Sequence, residues 1–219
     1  MADNSHKYGF RFARSLHGEP QPQIQRMRLA SAYSPSANGT AVGLEVGDPV
    51  ELLSTGYVDL CPGVEATPGT AGNPWGIVMG FGPLYNSQLG RMDPSAYYPT
   101  GGITYSTNLE RMSYVWVCPV FGNLWSLDCD DNTTATTEAA YLALLGENVE
   151  HILAVDTTNA NRPKADPFLH ITGHATTNTF HWRIVDYSMS VGQDFSGKNV
   201  SLIVQANVTS EAPFTALGT

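Results

Sequence analysis

Apolar runs in this chain are short, and nearly every one is closed off by glycine, proline or an Asn/Asp turn. With 21 Gly and 14 Pro in 219 residues, few stretches are long enough for a helix. Runs of about 4–8 residues between such breakers are the signature of β-strands. "GDPVELLST" places Val50, Leu52 and Ser54 on one face after a Gly-Asp-Pro turn, and "GYVDLCPG" follows as its hairpin partner. "NPWGIVMGFGP" is an apolar run between Pro74 and Pro83, with Gly76, Gly80 and Gly82 permitting bends or bulges. "SYVWVCPVFGNLWSLDC" reads as a hairpin around Phe121-Gly122-Asn123. In "FHWRIVDY", Phe180, Trp182, Ile184 and Asp186 oppose His181, Arg183, Val185 and Tyr187 in strict alternation. Further strands are expected in "EHILAVDT", "DPFLHITGH" and "NVSLIVQANVT".

These runs predict an all-β protein, an SH3-like barrel or β-sandwich with one short helix, a long loop insertion and an extended N-terminal arm. The helix falls in "TTEAAYLALLGENVE", capped by Thr136 or Thr137, with Ala139, Leu142 and Leu145 on one face and Gly146 at its end. The arm spans residues 1–28, the β-domain 29–208 and a C-terminal tail 209–219. Residues 82–113 lack a sustained period and are rich in Gly, Pro and Tyr, which predicts surface loops and a contact surface.

The arm carries "KYGFRFAR", with Tyr8, Phe10 and Phe12 on one side of a strand and Arg11 on the other, and Arg14 just beyond. Its residues hold 5 basic and 2 acidic groups, while the remainder holds 6 and 18, so a +3 arm is attached to a −12 body. Either it supplies an edge strand to its own sheet, or it adds a strand to a neighbour's, its aromatics entering pockets and its arginines meeting acidic rims. The acidic body argues against direct nucleic-acid binding, because phosphate contacts need a positive surface. No run approaches the roughly 20 apolar residues of a membrane helix, so no membrane partner is expected. Nor do about 7–15 apolar residues follow the first cations, as a secretory leader requires. Cys61, Cys118 and Cys129 lack metal-site spacing and read as reduced, buried thiols of a protein made in a cytoplasm. Charged residues make up only 14% of the chain, against about a quarter in average domains. Such surfaces are common both in secreted proteins and in subunits packed against others.

Catalytic signatures are missing from the sequence: no G-x-S-x-G, P-loop, G-x-G-x-x-G or H-E-x-x-H occurs. His170, His174 and His181 raise a metal reading, but Gly173 reads as the start of a turn and no carboxylate stands at a recognisable spacing. Asp128, Asp130 and Asp131 lack the Gly and distal Glu of a calcium loop and suit a turn or helix start. No catalytic residue, metal or cofactor is therefore expected. A carbohydrate-binding or glycan-hydrolysing β-sandwich is the alternative, with Trp75, Trp116, Trp125 and Trp182 as platforms, though strand sequence favours core positions for at least three of them.

"GDPVELLSTGYVDLCPGVEATPGTAGNPWGIVMGF" resembles tailed-bacteriophage head proteins of the decoration or cement type, in which G-D-P-V, a Gly-bounded strand and G-[IV]-V-x-G-F recur in this order. "YVWVCPVFGNLWSLDCDD", "LLGENVEHIL" and "VSLIVQANV" extend the likeness over residues 40–208. The resemblance implies a non-enzymatic virion protein made in the host cytoplasm. It would sit on the capsid exterior, with the major capsid protein and further copies of itself, as dimer or trimer, for partners. The interface residues expected on this reading are Tyr8, Phe10, Arg11, Phe12, Arg14, Arg26, Arg28, Tyr85, Tyr97 and Tyr98.

Overall fold

The computed structural model describes residues 9–18, 21–29, 36–37, 40–63, 73–86, 91–93, 97–98, 114–129, 135–156, 164–176, 180–188, 195 and 200–207. Its strands are β1 (Arg11–Ser15), β2 (Gln25–Leu29), β3 (Ser36–Ala37), β4 (Thr40–Ala41), β5 (Leu44–Glu45), β6 (Pro49–Leu52), β7 (Tyr57–Leu60), β8 (Gly76–Phe81) and β9 (Leu84–Asn86). They continue with β10 (Arg91–Asp93), β11 (Tyr97–Tyr98), β12 (Tyr114–Pro119), β13 (Asn123–Asp128), β14 (Asn148–Asp156), β15 (Lys164–Ala175), β16 (Trp182–Tyr187) and β17 (Ser201–Ala206). One helix, α1 (Glu138–Ala143), lies between β13 and β14. The all-β expectation holds, including the small closed barrel.

The barrel runs β12-β2-β7-β6-β8, antiparallel throughout except for the parallel β2–β7 pair. The predicted β6–β7 hairpin is present, with Val50 opposite Leu60. A second, antiparallel sheet has the order β1-β13-β17-β16-β14-β15. It curls until Cys129, directly after β13, bridges Leu169 of β15. Two apolar cores result. Trp125, Leu127, Leu169, Trp182, Ile184 and Leu202 fill the curled sheet, while Val50, Val58, Leu60, Val78, Val115 and Val117 fill the barrel. β14 and β15 serve both, since Val149 and Leu169 pack in the first core and Leu153 and Ala165 in the second.

Several expectations are corrected. "SYVWVCPVFGNLWSLDC" does not form a hairpin: β12 pairs with β2 and β8, and β13 with β1 and β17. The turn between them is a corner that carries the chain from barrel to sheet. Gly122 adopts φ +72°, and a Cβ there would stand 2.7 Å from the His17 ring. Asn123 Nδ2 donates to Pro119 O at 2.9 Å and to Phe121 O at 3.3 Å, closing the corner.

Of the two roles open to the first strand, β1 takes that of an edge strand in its own curled sheet, and β2 joins the barrel. Within 82–113, a β9–β10 hairpin and the β11–β5 pair replace part of the expected loop. Residues 1–8 and the expected tail 209–219 lie outside the described residues. The helix is capped by Thr137, whose side chain accepts from Ala140 N, but it buries Tyr141 and Leu144 rather than Ala139, Leu142 and Leu145. Tyr141 is drawn inward to Cys129 Sγ, 3.6 Å from its hydroxyl. In β16 the alternation changes phase after Ile184, where a bulge turns Asp186 outward and Tyr187 inward. All three cysteines are buried thiols outside any disulfide.

The corner carries a prediction. Replacing Asn123 with Ala removes both bonds at this half-buried corner and should cost about 1–3 kcal/mol, read as a lower urea midpoint at unchanged slope. A wild-type midpoint would mean that the corner does not depend on these bonds.

Candidate functional site

Folding divides the expected interface residues into two groups. Phe10 is 3% exposed and stacks on Trp182 at 4.6 Å between ring centroids, while its N–H donates to Gly47 O. Phe12 meets Trp125 edge-on at 5.9 Å. Arg11 donates to Asp128 Oδ1 at 2.6 Å and to Ser201 Oγ at 2.7 Å, and Ser201 in turn donates to Asp128. Tyr98 is fully buried in the barrel core, and Tyr97 is half-buried against Gly43, where a Cβ would collide with its ring. Aromatic burial thus removes Phe10 and Tyr98 from any contact surface. Tyr8 and the side chain of Tyr85 lie outside the described residues.

Arg14, Arg26 and Arg28 are exposed, with the Arg26 guanidinium 4.1 Å from the centre of the Tyr114 ring. Beside them stand two exposed apolar side chains, Leu16 and Ile24, at 47% and 49%. Their chain neighbours Ser15, His17, Gln23 and Gln25 line a groove of about 280 Å³ against Phe121 and Asn123. Among the described residues, β1 pairs with β13 alone and so forms one edge of the curled sheet. The exposed arginines and the exposed apolar pair therefore all lie within residues 14–28, on or next to β1 and β2.

A second constellation lies where the two cores meet. β14 and β16 pair Asn148 with Arg183 and Val149 with Trp182, and the next step in this register sets Glu150 beside His181. Glu150 Oε2 and His181 Nδ1 are 2.5 Å apart, with both residues buried. His151 is completely buried and accepts a 3.2 Å bond at Nδ1 from Trp182 Nε1. One donor atom each from Glu150, His151 and His181 lies within 4.8 Å of the others. Glu150 Oε1 has no hydrogen-bond partner among the described residues. The segment after β7 covers the cluster, so closely that a Cβ on Gly63 would lie 2.6 Å from Leu153 N and 2.9 Å from His151 O.

Burial pushes the His151 pKa from 6.5 down to about 3, the nearby His181 adds to the drop, and the Cys61 backbone opposes it. Burial likewise raises the Cys61 thiol well above its usual range, aided by the negative charges of Glu51, Glu150 and Asp59. Cys118 is pushed up to about 11 by burial. Neither of these two thiols is a nucleophile at neutral pH.

The sequence picked out His181 but paired it with the wrong residues. β15 runs unbroken through Gly173 instead of turning there, His170 sits 3.2 Å from Thr172 Oγ1, and His174 is 4.0 Å from Glu147. Asp128 is the Arg11 partner, and Asp130 and Asp131 lie outside the described residues. Trp75, Trp125 and Trp182 are buried and unavailable for sugar stacking. Glu150 and His151 were missed although the sequence held a signal: two adjacent ionisable residues between Val149 and Ile152, inside an apolar strand. Neighbours in a strand normally face opposite ways, and here both faces of β14 are covered.

Among the described residues, no helix is long and apolar enough to cross a membrane. Comparison with protein-family models, curated proteins and solved structures returns no match.

His151 gives the stability a pH dependence. Its native pKa lies below the unfolded value of 6.5, so the unfolded chain takes up the proton first as pH falls. The stability contributed by neutral His151 is complete above about pH 6.5 and is lost progressively toward about pH 3. Its slope approaches about 1.4 kcal/mol per pH unit. A His151→Gln variant, which keeps an acceptor for Trp182 but cannot titrate, should flatten the stability–pH curve in this window by close to one proton. Parallel curves for the two proteins would rule the account out.

Proposed function

We propose that this chain is a structural protein of a virus particle, of the tailed-phage head-decoration type. On this reading it binds the outside of the shell and bridges neighbouring capsid subunits, with the major capsid protein and copies of itself as partners. The observation that carries the reading is the exposure of Arg14, Arg26, Arg28, Leu16 and Ile24 within one short segment whose β1, among the described residues, is an edge strand of the curled sheet. A strand edge offers backbone pairing, the apolar pair offers burial, and the arginines complement an acidic neighbour. The rest of the chain supplies such a neighbour in a homo-oligomer, since residues beyond 28 hold 18 acidic groups against 6 basic ones. Bridging requires complementary buried area, about 1,600 Å² for a stable contact, and no bond-making step.

Co-sedimentation with expanded, undecorated heads of the parent phage tests this. Removing residues 1–28 would strip β1 from the sheet and β2 from the barrel, so a surface variant is the proper control. Full-length protein should bind saturably. An Arg14→Glu, Leu16→Ser, Ile24→Ser variant with wild-type melting behaviour should bind about tenfold more weakly, a change of about 1.4 kcal/mol. Folded wild-type protein that stays in the supernatant at every concentration would refute the proposal.

A further inference from the structure

We propose that Glu150, His151 and His181 form a binding site for one divalent transition-metal ion of the zinc class. The three side chains come from β14 and from the residue just before β16, and one donor atom of each lies within 4.8 Å of the other two. Two imidazoles and one carboxylate form a donor set suited to zinc and its neighbours, whereas calcium and magnesium take oxygen ligands. Tetrahedral zinc at about 2.0–2.2 Å from each donor holds the donors about 3.4 Å apart. Small side-chain rotations therefore close the widest separation here and open the 2.5 Å contact between Glu150 and His181.

A buried ion pair alone leaves part of this cluster unexplained. Glu150 is 3% exposed, yet its Oε1 has no hydrogen-bond partner among the described residues, although Oε2 is engaged by His181. Buried carboxylate oxygens are normally satisfied, and a cation bound by Oε1 satisfies this one. His151, held between Phe10 and Trp182, carries its acceptor lone pair on Nδ1, which now takes only the long bond from Trp182. A metal ion competes for that lone pair. The site does not depend on the virion reading, and its location between the cores gives the ion a structural task, pinning β14 to β16 where barrel and curled sheet join. Stabilisation by binding the native state alone follows from mass action.

The test uses the full chain, stripped with a chelator and then titrated separately with Co²⁺ and Zn²⁺. One Co²⁺ per chain should bind with the visible absorption of a four- or five-coordinate His/carboxylate site. Zn²⁺ should displace it, and either ion should raise the melting temperature. Glu150→Gln should weaken binding on the order of tenfold or more, while a His170→Gln, His174→Gln double variant should bind as wild type. Folded apo-protein that shows no Co²⁺ spectrum and no Zn²⁺-dependent rise in melting temperature would overturn the proposal. Loss of binding in the His170/His174 variant would overturn it too, by placing the ion on β15. Because these outcomes do not need Glu150→Gln to fold, the proposal stays falsifiable without that variant.

Discussion

The rest of the structure hangs on a strand shared by two cores. β14 packs Val149 into the core of the curled sheet and Leu153 into the core of the barrel, and between them it buries Glu150 and His151. Burying a carboxylate is costly unless it is paired. The pairing here comes from His181, 31 residues further along the chain, across the β14–β16 ladder. The contact forms only when β14 and β16 are in register, so it ties correct strand pairing to the union of the two cores. Losing one member of such a pair leaves an uncompensated buried charge, at about 3–5 kcal/mol.

The same junction accounts for the other close contacts around it. Phe10 packs on Trp182 and approaches His151, bringing the start of the chain against the strands that carry the cluster. The backbone after β7 fits onto β14 with room for nothing larger than glycine at position 63. Arg11 reaches across β13 to Asp128 and Ser201 and fastens the outer strand of the sheet. Arg14, Leu16 and Ile24 of this N-terminal segment are exposed. One segment thus has an inward role, in aromatic packing, and an outward one, in the proposed subunit contact.

Local patterns were readable where the information was local. The β6–β7 hairpin follows from a Gly-Asp-Pro turn and two short apolar runs, and the Thr137 cap from a hydroxyl placed ahead of Glu138 and Ala139. Patterns were misread where a distant partner decided the outcome. The strands on either side of Gly122 look like a hairpin because a tight turn separates two apolar runs, yet each finds its partners elsewhere. Strict alternation in "FHWRIVDY" gave the wrong facing for Asp186 and Tyr187, since a bulge inserts a residue that no period anticipates. The helix face was misassigned because Tyr141 lies against Cys129 and Phe195, contacts invisible in a six-residue window.

By itself, the sequence determined the all-β class, most of the strand-forming segments, the short helix after Thr137 and the basic character of the first 28 residues. These follow from breaker spacing, side-chain period and charge, which act over a few residues. Tertiary structure alone decided that Phe10 and Phe12 pack against Trp182 and Trp125, that one turn joins two sheets, and that Glu150, His151 and His181 meet. Those outcomes depend on long-range register and on which faces find cover, and neither is encoded within any one strand.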